Sequence, residues 1–162
     1  MTTPRSEWRG RRVDVGGGHR RVIPGSFRAE MSRENIELVE RYIDAFNRRD
    51  LDTLDALNDP DMELDWSASR GVDAAVYRGA DAVMGFYAEW FALFEQIAIK
   101  PESFIESGES IVVPSRSRFT GRDGLELATH AAGLLTVRDR RIVLVRLYQE
   151  VEQALADLER PQ

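Results

Sequence analysis

The order of two hydrophobic periodicities constrains the fold of this chain more than any other feature. Up to about residue 95, most apolar residues recur at helical spacing, and from residue 97 to residue 149 they alternate as in strands. Helices followed by a run of antiparallel strands are typical of the α+β class, with the helices on one face of a curved sheet. Because the chain has 162 residues and 43% apolar content, we expect a single such domain.

Three helices are predicted in the first part of the chain. The first runs over 33–47 with Ser32 as its N-cap. A short second helix follows, with Asp50 as its cap, and stops at Asn58-Asp59-Pro60. The third runs over about 81–95 and carries a wide aromatic face. That face consists of Val83, Tyr87, Trp90, Phe91 and Phe94.

One strand is predicted between the second and third helices, over 61–66, where the aspartate and glutamate side chains point away from Met62, Leu64 and Trp66. Four more strands and a short final helix follow the third helix. The strands are predicted at 97–107, 110–120, 126–138 and 141–149, with turns at Ser107-Gly108, Gly121 to Gly124 and Asp139-Arg140, and the helix at 151–158.

Residues 1–30 differ in composition from the rest of the chain. They carry seven arginines against three acidic residues and show no useful periodicity, so we expect a flexible basic extension ahead of a domain over 31–158. Two interpretations stay open: the protein begins at Met31, or the segment is a basic arm for an acidic partner. Gly16, Gly17 and Gly18 do not form a phosphate loop, because no strand precedes them and no helix follows.

Composition excludes several classes of function. The net charge of the chain is −6, although in residues 1–30 arginines outnumber acidic residues, so the rest of the chain is more acidic still. This charge argues against nucleic-acid binding by the folded part. The chain has no cysteine, and its longest apolar runs fall far short of a membrane span, so we expect a soluble cytoplasmic protein. Lys100 is the only lysine beside 21 arginines, a bias typical of a GC-rich, bacterial-type genome.

The predicted strand over 141–149 is apolar on both faces. Val143, Val145 and Leu147 share one face, and Ile142, Leu144 and Tyr148 share the other. If the helices cover only one side of the sheet, the other side needs a second cover. We therefore expect a homodimer through the outer face of the sheet.

Three segments resemble proteins of the nuclear transport factor 2-like superfamily, which includes ketosteroid isomerase and the SnoaL-like cyclases. The segments are RYIDAFNRRDLDTLDAL (41–57), YRGADAVMGFYAEWF (77–91) and LTVRDRRIVLVRLYQEVEQAL (135–155). The resemblance implies a cone-shaped curved sheet packed against N-terminal helices, with a small apolar molecule bound inside the cone. It is specific for the fold and weak for activity.

Catalytic groups carry over from that resemblance only in part. Tyr42 matches the tyrosine with which ketosteroid isomerase stabilises its oxyanion. The position of the general base falls on Trp66, with Asp65 one residue away and on the opposite strand face, and the protonated aspartate falls near Gly133. This chain therefore has only one of the three groups that steroid isomerisation by that mechanism requires. Tyr42 is either a hydrogen-bond donor to a ligand or an ordinary core tyrosine.

His130 and Arg116 are the remaining polar candidates. His130 is the one histidine of the predicted domain and is suited to proton transfer, but alternation places it on the outer face with Ala128 and Ala132. Arg116 either binds a carboxylate ligand or lies on the sheet surface. Asp61, Glu63 and Asp65 lack the spacing of a calcium loop, so no metal site is predicted.

The aromatic residues predict either a ligand pocket or a filled core. A pocket would be lined by some of Phe46, Trp66, Tyr87, Trp90, Phe91 and Phe94. Our leading hypothesis is a dimeric SnoaL-like protein that binds a small apolar metabolite, with cofactor-free acid/base chemistry as one version of it. The alternatives are a non-catalytic ligand-binding or association module, and a dimerisation platform for the basic N-terminal segment.

Overall fold

The computed structural model of the protein describes residues 25–68 and 75–160, with side chains from residue 32. Of the predicted extension over residues 1–30, residues 1–24, with the three consecutive glycines, lie outside the described residues, and the backbone of residues 25–30 belongs to the first helix. Within the described residues, four helices and seven strands follow one another. They are α1 (Gly25–Asn47), α2 (Leu51–Leu57), β1 (Asn58–Asp65), β2 (Val76–Arg78), α3 (Ala80–Leu93), β3 (Phe94–Pro101), β4 (Ile105–Ser107), β5 (Ser110–Gly121), β6 (Glu126–Arg138), β7 (Arg141–Tyr148) and α4 (Val151–Glu159).

Helix α1 begins at Gly25, earlier than the predicted start after Ser32. Ser32 therefore lies inside the helix rather than at its N-cap, and its hydroxyl hydrogen-bonds to Glu106. The predicted cap of α2 is confirmed, because the Asp50 carboxylate accepts from the backbone N–H of Thr53 at 3.1 Å.

The sheet is open and curved, and its strand order is β2-β1-β7-β6-β5-β3, with β4 paired to β5. The fold class is confirmed as α+β, with one difference from the expected antiparallel sheet. Strand β1 runs parallel to β7, which makes the sheet mixed. The parallel pairing is possible because β1 comes before α3 in the chain and is not part of the meander of β3, β5, β6 and β7. It joins the sheet beside β7, the last strand of that meander.

The predicted single strand over 97–107 is two strands, β3 and β4, which pair with successive parts of β5. The break lies opposite Pro114, which has no N–H to donate to a neighbouring strand. Its carbonyl instead accepts from the backbone N–H of Glu102 at 2.8 Å. Strand β3 is an edge, and the Asn47 side chain of α1 bonds both the N–H and the carbonyl of Ile99 there.

Two apolar clusters lie on the two faces of the sheet. The inner cluster joins α1, α2 and α3 to the concave face and includes Leu64, Val83 and Leu135. The outer cluster is smaller and is covered by α4. Its buried members are Ile105, Val112, Ala132, Leu134, Tyr148, Val151, Ala154 and Leu158.

Helix α4 changes the argument for a homodimer, because the chain itself covers part of the outer face. The assignment of faces in β7 also needs a correction. The register shifts between Thr136 and Val137, so Val143 is an extra residue in β7, and Ile142 lies in the inner cluster with Val145. The homodimer through the outer sheet face stays a prediction.

Among the described residues, none of the helices combines the length and apolar character that a membrane crossing requires.

Candidate functional site

A cavity of about 250 Å³ lies between the concave face of the sheet and helices α1 and α3. Its wall is largely apolar, with polar atoms from a few hydroxyl groups and one amide. Its lining includes Tyr42, Phe46, Trp66, Tyr87, Trp90, Leu127, Ala131, Gly133, Leu135, Leu147 and Gln149. The space is open because the aromatic side chains form its wall instead of filling it.

The hydroxyl groups of Tyr42 and Tyr87 lie 3.1 Å apart at the wall of this cavity. Tyr42 comes from α1 and Tyr87 from α3, and both side chains are almost fully buried. Burial, the nearby Tyr87 and its hydrogen bond hold the pKa of Tyr42 well above its usual value. Burial raises the pKa of Tyr87 to about 12, against an opposing contribution from the Tyr42 hydrogen bond. Both groups are therefore neutral at physiological pH and act as hydrogen-bond donors and acceptors.

Aromatic rings form the helix side of the cavity. Trp66 packs against Trp90 with ring centroids 5.3 Å apart, and Phe46 packs edge-on against Tyr87 at 5.2 Å. Phe91 and Phe94, which were predicted as ligand contacts, do not line the cavity. Phe91 lies behind Phe46, and Phe94 lies behind Trp90, where each supports the ring in front of it.

Small residues of β6 leave the cavity open on the sheet side. Ala131 and Gly133 point inward in the alternation predicted from the sequence, together with Leu127 and Leu135. A methyl group at Gly133 would meet Leu135 and Leu147 at 3.5 and 3.7 Å, which is ordinary packing distance. The glycine therefore contributes space rather than an unusual backbone conformation.

Asp65 does not line the cavity. It points to the other face of β1, where its carboxylate pairs with Arg146 at 3.0 Å and accepts from the backbone N–H of Ser67 at 3.0 Å. Burial opposes its ionisation, but the hydrogen bonds from Ser67 and Arg146 outweigh burial and hold its pKa below the usual value. Asp65 thus forms a structural ion pair with Arg146 in this protein.

His130 and Arg116 also lie outside the cavity. They face each other across β5 and β6 on the outer side of the sheet, as strand alternation requires. Both contact Glu102, His130 Nε2 at 2.5 Å and Arg116 Nε at 3.4 Å. This exposed cluster is separated from the cavity by the sheet itself. Two of the three predicted catalytic residues therefore lie apart from Tyr42.

The sequence did not indicate the role of two groups at this site. The Tyr87 hydroxyl was assigned only to an aromatic face, and its pairing with Tyr42 depends on how α3 crosses α1. Gln149 borders the cavity just after the end of β7, where no strand alternation assigns it to a face. Within residues 25–68 and 75–160, no group of three or more acidic or histidine side chains is placed to hold a metal ion.

Comparison with protein families gave one match, to the SnoaL-like domain over residues 39–145. The matched region contains α2, α3 and the sheet up to the middle of β7. It includes most of the cavity lining, and Leu147 and Gln149 lie beyond it. A comparison with curated protein sequences found no match.

Solved structures of the same fold cover most of the chain. A Burkholderia pseudomallei protein of unknown function, described as nuclear transport factor 2-like, has 24% identity and a TM-score of 0.64, covering 77% of this chain and 97% of its own. TerC, co-crystallised with polyporic acid, has 20% identity and a TM-score of 0.64, covering 78% and 98%. An epoxide hydrolase of Mycobacterium tuberculosis has 21% identity and a TM-score of 0.61, covering 78% and 90%. These similarities show the fold.

Proposed function

Because the chain belongs to the family of SnoaL-like domains, we propose that its cavity binds a small, largely apolar molecule through an oxygen atom held by the Tyr42–Tyr87 hydroxyl pair. The observation that carries this proposal is the buried hydroxyl pair in a largely apolar wall. A buried polar group is costly unless it is hydrogen-bonded, so its position at a cavity favours a ligand with a matching polar atom.

The volume of the cavity limits the ligand. Pockets for drug-sized ligands usually enclose about 300 to 1,000 Å³, so a cavity of about 250 Å³ suits a molecule of one or two rings. Trp66 and Trp90 offer ring faces and edges for stacking with such a molecule. TerC, which has the same fold, was crystallised with polyporic acid, and this supports including small organic acids in a ligand screen.

The site favours binding and hydrogen-bond donation over proton abstraction. No carboxylate or imidazole lines the cavity in the part of the chain that the structure describes, because Asp65 and His130 lie on other faces. A tyrosine whose pKa is raised to about 12 is a poor base at neutral pH. The non-catalytic binding module is therefore the stronger form of the proposal, and the predicted homodimer through the outer sheet face remains part of it.

A pair of matched probes tests the hydroxyl pair. We expect 2-acetylnaphthalene, which carries a carbonyl oxygen, to bind about tenfold more tightly than 2-ethylnaphthalene, because one buried hydrogen bond contributes roughly 1.4 kcal/mol. Tryptophan fluorescence can report both affinities, since Trp66 and Trp90 line the cavity. The double variant Tyr42→Phe/Tyr87→Phe should lose the preference for the ketone and keep its affinity for the hydrocarbon.

Two results would contradict the proposal. The first is the absence of saturable binding for both probes, which would mean that the cavity does not accept a ligand of this size. The second is a ketone preference that survives in the double variant, which would place the polar contact elsewhere. Leu125→Ser, at an exposed leucine of the β5–β6 turn outside the cavity lining, is the control variant and should leave both affinities unchanged.

A further inference from the structure

Two hydroxyl groups on the sheet side of the cavity are not used by the proposed function. Ser117 of β5 and Thr129 of β6 both line the cavity, and both are half-buried. Neither hydroxyl has a hydrogen-bond partner among the described residues. A hydroxyl group that loses water without gaining another partner costs free energy, so two of them side by side in a largely apolar wall suggest a partner from outside the chain.

The register of the sheet places these two hydroxyls beside each other. Ser117 and Thr129 are directly opposite in the pairing of β5 with β6. Opposite side chains on one face of an antiparallel pair have Cβ atoms roughly 5 Å apart, so one ligand oxygen can contact both hydroxyls. Ser115, the preceding inward residue of β5, differs because its hydroxyl donates to the carbonyl of Val113 on its own strand at 3.4 Å.

An apolar pair separates the two hydroxyls from the β5–β6 turn. Phe119 and Leu127 are directly opposite each other and also line the cavity. Phe119 packs edge-on against Trp90 of α3, with ring centroids 5.9 Å apart, and Leu127 is 49% exposed at this open end. The hydroxyls of Ser117 and Thr129 therefore lie one pair of residues inside the opening, where a hydrogen bond is screened by water less than at an open surface.

We infer that Ser117 and Thr129 form a second polar subsite, which binds a second oxygen group of the ligand. The inference rests on the proposed function, because the ligand is the one whose first oxygen contacts the Tyr42–Tyr87 hydroxyl pair. That pair belongs to helices α1 and α3, whereas Ser117 and Thr129 belong to the sheet. A ligand that contacts both subsites therefore spans the cavity from the helices to the sheet.

The chemistry of the two subsites limits the class of ligand. Each hydroxyl can donate one hydrogen bond and accept two, so the second subsite fits either a hydroxyl or a carbonyl group. A ligand with a single oxygen would displace water from the Ser117–Thr129 pair without replacing its hydrogen bonds, and it would bind less tightly for that reason. The inference thus predicts a cyclic molecule with oxygen groups on two sides, such as a hydroxy ketone.

A second hydroxyl group on the ketone probe tests this subsite in the full-length protein. The probes are 6-hydroxy-2-acetylnaphthalene and 7-hydroxy-2-acetylnaphthalene, each compared with 2-acetylnaphthalene by isothermal titration calorimetry. We expect at least one of the two isomers to bind about fivefold more tightly than 2-acetylnaphthalene, because it gains one hydrogen bond. The double variant Ser117→Ala/Thr129→Val should lose this gain, since both substitutions remove the hydroxyl and alter shape little.

The preference for 2-acetylnaphthalene over 2-ethylnaphthalene should persist in the same double variant, because the Tyr42–Tyr87 pair is intact. Thr129→Ser is the matched control, and it should keep the gain because it keeps the hydroxyl. If the double variant does not fold, the two single variants replace it, and each should reduce the gain.

The two probe comparisons separate the possible failures. Wild-type protein that gains affinity for neither hydroxy isomer would overturn the inference, and a ketone preference in that protein would leave the proposed function standing. A gain that survives undiminished without the hydroxyls of Ser117 and Thr129 would also overturn the inference, since the second oxygen would then bind elsewhere. Absence of any ketone preference would overturn the proposed function, and this inference with it.

Discussion

The two faces of β6 are covered in different ways, although they belong to one strand. On the outer face, Leu134 packs against α4 in a small buried cluster. On the inner face, the adjacent Leu135 lies beside a cavity of about 250 Å³ under α1 and α3. A cavity gives up packing contacts that a filled core would have, so it lowers stability. The outer cluster therefore contributes to stability alone, whereas the inner cluster stabilises the fold and also borders the proposed binding site.

Truncating a leucine on each face should give the largest difference in the free energy of unfolding. We expect Leu134→Ala to lower the free energy of unfolding by about 3–5 kcal/mol, because it opens a void in a buried cluster. Leu135→Ala should cost less, about 2–3 kcal/mol, because its side chain already borders open space and has fewer contacts to lose. Urea unfolding monitored by tryptophan fluorescence measures both values.

Both leucines are buried, with exposures of 0% and 4%, so burial alone predicts equal costs for the two substitutions. If Leu135→Ala were as destabilising as Leu134→Ala, the inner face would be as well packed as the outer one. That result would remove the physical basis for an open cavity in solution.

Enlarging a side chain should stabilise the protein on the inner face and destabilise it on the outer face. Ala131 points into the cavity, and the adjacent Ala132 belongs to the outer cluster. Ala131→Leu fills open space, so we expect the free energy of unfolding to rise by about 0.5–2 kcal/mol and both naphthalene probes to lose affinity. Ala132→Leu overpacks a buried cluster, so the free energy of unfolding should fall by about 1–3 kcal/mol.

The combination of the two measurements is informative. A gain in stability together with a loss of binding in Ala131→Leu would show that the cavity is retained at the expense of stability. Loss of stability in both variants would mean that the inner face has no room for three additional carbons, contrary to the structure.

Features that depend on neighbours in the sequence could be predicted. The Asp50 carboxylate caps α2 by accepting from a backbone N–H only three residues away, and the inward set of β6 followed from simple alternation. The same alternation placed Asp65 and His130 away from the cavity. In each case the deciding interaction is local, or the period of the element fixes the side on which a residue lies.

Features that depend on distant partners could not be predicted. Strand 97–107 divides because of Pro114 on the neighbouring strand, and the faces of β7 exchange at Val143 because of a shift against β6. The pairing of Tyr42 with Tyr87 joins residues 45 positions apart, and it depends on the angle at which two helices cross. Position and period along the chain do not specify such contacts, which form only in the packed molecule.

The charges of the two faces provide the smallest and most selective test. The inner cavity has no carboxylate or imidazole among the described residues, whereas the outer face carries the Asp65–Arg146 pair. Because the pKa of Asp65 is held below its usual value, this pair stabilises the protein fully above the pKa of an unfolded aspartate, about 3.9, and the contribution is lost as pH falls through the lower folded value.

Asp65→Asn should therefore lower the free energy of unfolding by about 0.5–1 kcal/mol at pH 7, and by progressively less as the pH falls below about 4. Urea unfolding of the variant and the wild type between pH 7 and pH 2 measures the difference. In an Arg146→Met background, the same substitution should have a smaller effect, because the partner cation is gone. A difference that stays constant down to pH 2 would show that Asp65 contributes through shape alone, and that the charges of the outer face do not contribute to the acid sensitivity of the fold.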